Sequence, residues 1–375
     1  MRIVIAPDSF KGSATAVQVA EALAAGWRSV HPDDELVELP MADGGEGTLD
    51  AFELAVPGAK RMPVEVTGPN GGRVKASWML LPPTNGLPGG TGVVELAETS
   101  GLTLLERLDP LGAHTLGFGQ AIADALDHGL SRLLLGIGGS ASTDGGTGAL
   151  VALGARMLDA VGRPVALGGA TLSEVASVDL SEVRGLPSGG ALVLSDVTNP
   201  LLGPAGAAHV FGEQKGADAA QRFALDAGLA SWSALVAAET GIDPAAPGAG
   251  AAGGTGFGLL AWGARLTSGA TAIADAVGLD AALARANLVI VGEGRYDAQT
   301  DSGKAPAVVA GRARAVDVPV ALVAGAVAAE PQGMADVVSL TDLAGSVDRA
   351  IEDPARWLRE AGRRLALSAG SSPAP

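Results

Sequence analysis

The chain reads as α/β, with a parallel sheet assembled from both chain ends and a separate central domain built on a mixed sheet. Three observations predict this. Four runs of branched apolar residues, Ile3-Val4-Ile5, Leu133-Leu134-Leu135, Leu192-Val193-Leu194 and Leu288-Val289-Ile290-Val291, lack polar alternation and break directly into loops of glycines and acidic residues. Such runs suit strands covered on both faces, so helices pack on both sides and the polar loops emerge at one edge of the sheet. Helical spacing follows the first run and the last, whereas Gly68-Pro69-Asn70-Gly71 sits between two strand-like segments as a hairpin signature.

Element by element, a first strand over 3–5 leads into a helix over 15–30, with Val17, Ala20, Leu23, Ala24 and Trp27 on one face and His31-Pro32 ending it. A second strand over 35–39 completes a βαβ start. The loop from Pro40 to Thr48 again sets Asp43 and Glu46 among glycines, ahead of a helix through Ala55. Composition then shifts to the hairpin of 64–67 with 74–78 and a short strand over 92–96. The pattern continues with a helix over 115–128, a strand over 132–136, a helix over 147–158, a strand over 191–195 and a long helix over 219–239. From 284 onward βα spacing resumes, with strands at 287–291, 318–323 and 335–340, a helix at 304–315 and terminal helices at 346–367. The expected domains are 1–60 with 285–375, a discontinuous Rossmann- or flavodoxin-like sheet, and 61–284, the central mixed domain. No fixed-period repeat is visible, and the Ser371-Ser372-Pro373-Ala374-Pro375 tail reads as frayed.

Composition narrows the function. At 375 residues and 47% apolar content the chain can fill two cores. A formal net charge of −16 argues against nucleic acid or an anionic membrane as partner. With no cysteine, disulfides, thiolate zinc sites and cysteine nucleophiles are excluded. The four histidines show no ligand spacing, which argues against a histidine metal site or a serine triad. The strand begins directly after Met1 and Arg2, so no export signal is expected and the cytoplasm is the expected location. The longest uncharged stretch, 244–264, contains two prolines and seven glycines and reads as a loop feeding a buried helix, not a membrane span.

The positive charges suggest chemistry. Only five lysines occur, and three of them, Lys11, Lys215 and Lys304, sit beside glycine in polar loop segments. Glycine lets backbone amides approach an anion, and an ammonium neutralises phosphate as a point charge. Asp8, Asp43, Glu46, Asp144, Asp196, Glu293 and Asp297 all fall in the glycine loops, supplying the hard oxygen ligands and the base that phosphoryl transfer from a nucleotide requires. Gly136-Ile137-Gly138-Gly139-Ser140-Ala141 also matches a loose dinucleotide fingerprint, but no acidic residue closes a second strand at the right distance. Gly303-Lys304-Ala305 lacks the hydroxyl residue and the earlier glycine of a Walker motif.

Taken together, Ile5-Ala6-Pro7-Asp8-Ser9-Phe10-Lys11, Ala42-Asp43-Gly44-Gly45-Glu46-Gly47-Thr48, Gly136 to Ala141, Asp196-Val197-Thr198-Asn199-Pro200-Leu201, Gln214-Lys215-Gly216-Ala217, Gly248 to Gly254 and Gly292-Glu293-Gly294-Arg295 closely resemble the bacterial glycerate kinase type-1 family. The resemblance runs in order from Met1 to about Leu367. It implies ATP-dependent phosphorylation of D-glycerate, typically at the 2-hydroxyl, with Mg²⁺, in a two-domain enzyme whose cleft lies between the domains. The chain departs from the family's usual pattern at Ser142-Thr143, where Thr-Asn is common, at Phe10, often tyrosine, and at Tyr296, often aliphatic. No role is assigned to the Thr143 side chain or, for want of a phenol, to Phe10.

On this reading Asp196 is the base or a metal-orienting carboxylate, Asp8 and Asp43 are further catalytic carboxylates, and Lys215 neutralises charge. Lys11, Gly138, Gly139, Ser140, Asp144, Glu293, Arg295 and Lys304 are expected to bind the nucleotide, and Asp196 with Asp297 the metal. Small-molecule substrates are the expected partners, with oligomeric state open. Three alternatives stand beside it: phosphorylation at the 3-hydroxyl, a nicotinamide-dependent hydroxyacid dehydrogenase, and a non-catalytic anion-binding protein.

Overall fold

The computed structural model describes residues 1–297 and 305–371. Strands run in chain order as β1 (Arg2–Pro7), β2 (Glu35–Glu38), β3 (Lys60–Thr67), β4 (Arg73–Leu81), β5 (Thr91–Glu95), β6 (Arg132–Gly136), β7 (Arg156–Leu158), β8 (Ser177–Asp179), β9 (Ala191–Leu194), β10 (Arg265–Thr267), β11 (Leu288–Tyr296), β12 (Val320–Val327) and β13 (Asp336–Ser339). They form two main sheets in two compact units. One unit comprises Met1–Asp43, Asp50–Pro57 and Ala270–Pro375, and the other Gly44–Leu49 and Gly58–Gly269.

In the first unit five strands pair in the order β13-β12-β11-β1-β2, all parallel. Strand periodicity sends alternate residues to opposite faces. Ile3, Ile5, Ile290, Ala321 and Val323 share a core with the helices Ala16–Arg28 and Pro354–Ser371. Val4, Val289, Val291 and Leu322, of opposite parity, are also fully buried, and the helix Ala305–Arg314 packs on β1, β11 and β12. Burial on both faces is what the unbroken apolar runs demand.

The helix Ala16–Arg28 begins at a capping box in which Thr15 and Gln18 exchange side-chain to backbone hydrogen bonds. Its Trp27 is fully buried and donates its indole N–H to Asp34 at 2.9 Å. It crosses Pro354–Ser371 at two glycines: a Cβ on Gly26 would stand 2.0 Å from the Arg359 carbonyl oxygen, and one on Gly362 2.3 Å from that of Leu23.

The second unit is mixed. Its sheet runs β10-β9-β6-β5-β4-β3, parallel from β10 to β5 and antiparallel through β4 and β3, with the turn where the hairpin signature placed it. The long helix Ala219–Thr240 starts at an Asp218/Gln221 capping box and ends at Gly241 in the left-handed region. The 244–264 stretch feeds the short buried helix Thr255–Ala261, and no helix among the described residues is long and apolar enough to cross a membrane.

Two expectations fail for identifiable reasons, and a third is not tested. The helix expected over 147–158 stops at Ala152, because Gly154 takes φ +116 where its hydrogen atom lies against the Glu182 carbonyl; the following residues form β7 and pair with β8. β11 does not end at Val291 but runs to Tyr296, since Gly292 and Gly294 leave room for Phe10 and the long β12 continues the ladder beside it. Lys304, expected to open a helix, lies outside the described residues.

Replacing Gly26 or Gly362 by alanine should lower the unfolding free energy by roughly 1–3 kcal/mol in urea titrations. Alanine is favoured over glycine by about 1 kcal/mol in an isolated helix, so a stabilised variant would disprove the tight crossing.

Candidate active site

Two sets of chemically equipped residues stand at carboxyl ends of strands, one in each unit. In the first, Asp8 follows β1 directly, and its N–H donates to the Gly292 carbonyl at 2.8 Å, tying it to β11. The Asp8 carboxyl is pushed up to about 6, mainly by burial and next by the charge of Asp43, against the opposing pull of the Ser9 N–H and Lys11. Asp43 is held nearby because the Met41 N–H donates to the Pro7 carbonyl at 2.8 Å. Its carboxylate stands 4.0 Å from the exposed Lys11 ammonium. Asp43, more than thirty residues further along, is therefore a neighbour of Asp8 and Lys11. Glu293 is buried on β11, whereas Arg295 is exposed and stands 3.9 Å from Asp297. Phe10 is core, buried against the β11 glycines.

In the second unit the loop after β6 is organised by Asp144. This fully buried carboxylate accepts five hydrogen bonds: from the Thr115 N–H at 2.9 Å and hydroxyl at 2.8 Å, the Ser142 hydroxyl at 2.9 Å, and the N–H groups of Gly146 and Gly148 at 3.2 Å each. Its oxygens are thereby engaged in holding the loop, which differs from the nucleotide contact expected of it. Several amides of the expected cradle are also engaged internally: Gly138 with Gly44, Ala141 with Ser100, Gly145 with Gly253. Only Gly138 and Gly139 reach the surface. Gly139 takes φ +72, a conformation that suits glycine.

Lys215 is the most deeply buried of the site cations among the described residues. It is 2% exposed, in a short 3₁₀ turn over Glu213–Lys215. Its ammonium donates to the Ser140 hydroxyl at 2.8 Å and to the Ser142 carbonyl. Burial lowers it from 10.5 to about 7, with Asp144 acting in the opposite sense. Asp196 lies exposed just past β9 and keeps its place at a strand end.

Glu95 was missed. It ends β5, is 2% exposed, and accepts from the N–H groups of Gly47 and Leu49 at 3.1 Å each, anchoring the start of the helix Thr48–Ala55. A Cβ on Gly138 would stand 2.5 Å from the Gly45 Cα, so the two glycine loops are packed backbone to backbone. The signal was present: Glu95 closes an apolar strand, as Asp8 and Asp196 do. Among the described residues no group of three or more His, Asp or Glu side chains is arranged to hold a metal. Magnesium commonly takes only one or two carboxylates, with nucleotide oxygens and water completing its shell. The exposed carboxylates are of the right chemistry for that.

Comparison with known proteins decides the class. The glycerate kinase family model matches residues 3–369. The chain belongs to the glycerate kinase family. Its relatives include the glycerate 2-kinase of Escherichia coli K12, 40% identical over 98% of each chain, and a glycerate kinase of Halalkalibacterium halodurans, 41% identical over 97% of each. A crystal structure from Salmonella typhimurium LT2 whose description names glycerate kinase 2 superposes with a TM-score of 0.86 at 40% identity, covering 99% of this chain and 98% of the other. The protein is thus a kinase, which removes the dehydrogenase alternative.

Asp144→Asn should destabilise this glycerate kinase family member by about 3 kcal/mol in urea unfolding, because an amide NH₂ would face N–H and O–H donors and leave them buried and unpaired. Unchanged stability would show that the carboxylate does not hold the loop.

Proposed function

We propose that the enzyme transfers the γ-phosphoryl group of ATP to the 2-hydroxyl of D-glycerate, giving 2-phosphoglycerate and ADP. The observation that carries the reaction is the near-full-length identity to the Escherichia coli glycerate 2-kinase. The raised Asp8 carboxyl supports a means: a hydroxyl acceptor needs a base that is ionised at neutral pH yet still proton-hungry, and a carboxyl near 6 meets both conditions better than one near 4. Asp8 therefore takes precedence over the exposed Asp196 as base, with Asp43 tuning it by charge. Lys11 and Arg295 are the exposed cations available to phosphate or carboxylate oxygens. Gly138, Gly139 and Ser140 offer an anion seat, and Glu293 lies at the nucleotide side in this proposal. Asp196 and Asp297, each considered in its own unit, are the carboxylates assigned to Mg²⁺, an ion that would neutralise phosphate oxygens.

Incubation with D-glycerate, ATP and Mg²⁺ should yield ADP and 2-phosphoglycerate, identified by phosphorus NMR. Formation of the 3-phosphate would move the reaction to the other hydroxyl, and full turnover in excess chelator would remove the metal from the proposal.

Asp8 also predicts a pH dependence. As base it must be ionised, so kcat/KM should rise through about pH 6 and level off above. Stability should run the opposite way. Folded Asp8 keeps its proton to about 6 while the unfolded carboxylate releases it near 3.8, so the folded state binds more protons in that window and loses stability as pH rises through it. Asp8→Asn should then lower kcat by about 10²-fold or more while melting no lower than wild type at pH 8. Near-normal kcat in this variant would transfer the base role to Asp196 or Asp43.

A further inference from the structure

Lys215 presents an energetic puzzle that the loop around it resolves. A fully buried ammonium is costly unless an anion or a set of strong acceptors compensates it. Here it forms no ion pair among the described residues, and its only hydrogen-bond partners are a hydroxyl and a carbonyl. The nearby carboxylate, Asp144, is already engaged by five neutral donors.

Around it, donors are left over. The Ser140 oxygen accepts from Lys215, yet its own proton has no acceptor among the described residues. The hydroxyl of Thr143, 0% exposed, has no partner at all among them. The N–H groups of Gly139, Ser140 and Thr143 likewise find none there. Buried polar groups are nearly always paired, so a loop carrying several unused donors above an uncompensated ammonium lacks an acceptor of negative charge. Gly139 is exposed at the edge of this loop.

We infer that residues 139–143 form an oxyanion seat in which the Ser140 and Thr143 hydroxyls donate to the ligand, and that Lys215 is a positioning residue beneath it. By occupying a lone pair of the Ser140 oxygen, the ammonium fixes that hydroxyl as a donor toward the ligand, and through the Ser142 carbonyl it sets the curvature of the turn. Its charge adds to the attraction without contact. The ligand is a phosphate oxygen of the nucleotide or the carboxylate of the hydroxy acid, both being oxyanions that accept from N–H and O–H groups. This rests on the anion seat of the proposed function and adds to it the Thr143 hydroxyl and the indirect action of Lys215.

The test titrates ATP and D-glycerate separately into the full chain by calorimetry, for wild type, Ser140→Ala, Thr143→Val, Lys215→Met and the Ser140→Ala/Lys215→Met pair. Ser140→Ala and Thr143→Val should each weaken one and the same ligand by about 10-fold and leave the other within about twofold. Thr143→Val should melt no lower than wild type, because it replaces an unpaired buried hydroxyl by a methyl group. The double variant should bind no worse than Lys215→Met alone, as expected if the lysine acts through Ser140. Loss confined to ATP identifies a phosphate oxygen, and loss confined to D-glycerate a carboxylate. Wild-type affinity for both ligands in Ser140→Ala and Thr143→Val overturns the seat, as does a wild type that binds neither. Penalties for Ser140→Ala and Lys215→Met that simply add overturn the positioning role. If Lys215→Met does not fold, the two hydroxyl variants still decide the seat. Turnover is read separately: binding with these losses but no phosphorylated product would refute the proposed reaction and leave the seat standing.

Discussion

The Asp144 carboxylate, buried completely and surrounded by five donors, is the interaction on which the second unit's chemistry depends. It joins Thr115 at the entrance of one helix to Gly146 and Gly148 at the entrance of the next, and pulls Ser142 inward between them. A carboxylate that accepts from so many donors fixes the backbone segments that carry them. Everything downstream inherits that geometry: the turn at 139–143, the contact of Ser140 with Lys215, and the packing of Gly138 against the Gly44–Leu49 segment.

The chain carries a formal charge of −16, yet its site must attract anions. The proposed site would meet this with few cations and many neutral donors. Lys11 and Arg295 are exposed beside acidic partners, where solvent weakens their charge. Lys215 is buried, where its field is weakly screened. The four lysines among the described residues thus divide by environment, Lys11, Lys60 and Lys75 exposed and Lys215 buried, and adjacency to glycine does not distinguish the two kinds. Phe10, inside a family motif, and Tyr296, next to one, are both core.

Much of the fold was legible because it follows from periodicity. Unbroken apolar runs at Ile3 to Ile5 and Leu133 to Leu135 could only be strands covered on both faces, and Gly68-Pro69-Asn70-Gly71 could only turn a hairpin. Short elements escaped. β7, β8 and β10 have three residues each, too few for a period to appear, and Gly154 ends a helix through a contact with Glu182 that is distant in sequence. Within the candidate site, the sequence shows carboxylates after strands but not what surrounds each of them. Asp144 and Asp8 look alike as carboxylates after strands; one is engaged by five donors and the other is destabilised by burial and a like charge. That difference arises from Thr115 and Asp43, residues brought alongside only by folding.

The first sheet places β1 between β2 and β11, so this strand has its inner neighbour some 285 residues later in the chain, a separation set by Ile3 pairing with Leu288. The second unit's sequence is finished by Gly269, before that neighbour has been made. Domains generally fold as units while synthesis proceeds. In this chain the unit that starts first therefore closes last, and the opening strand, apolar on both faces, must be kept from other partners until the rest of its sheet arrives.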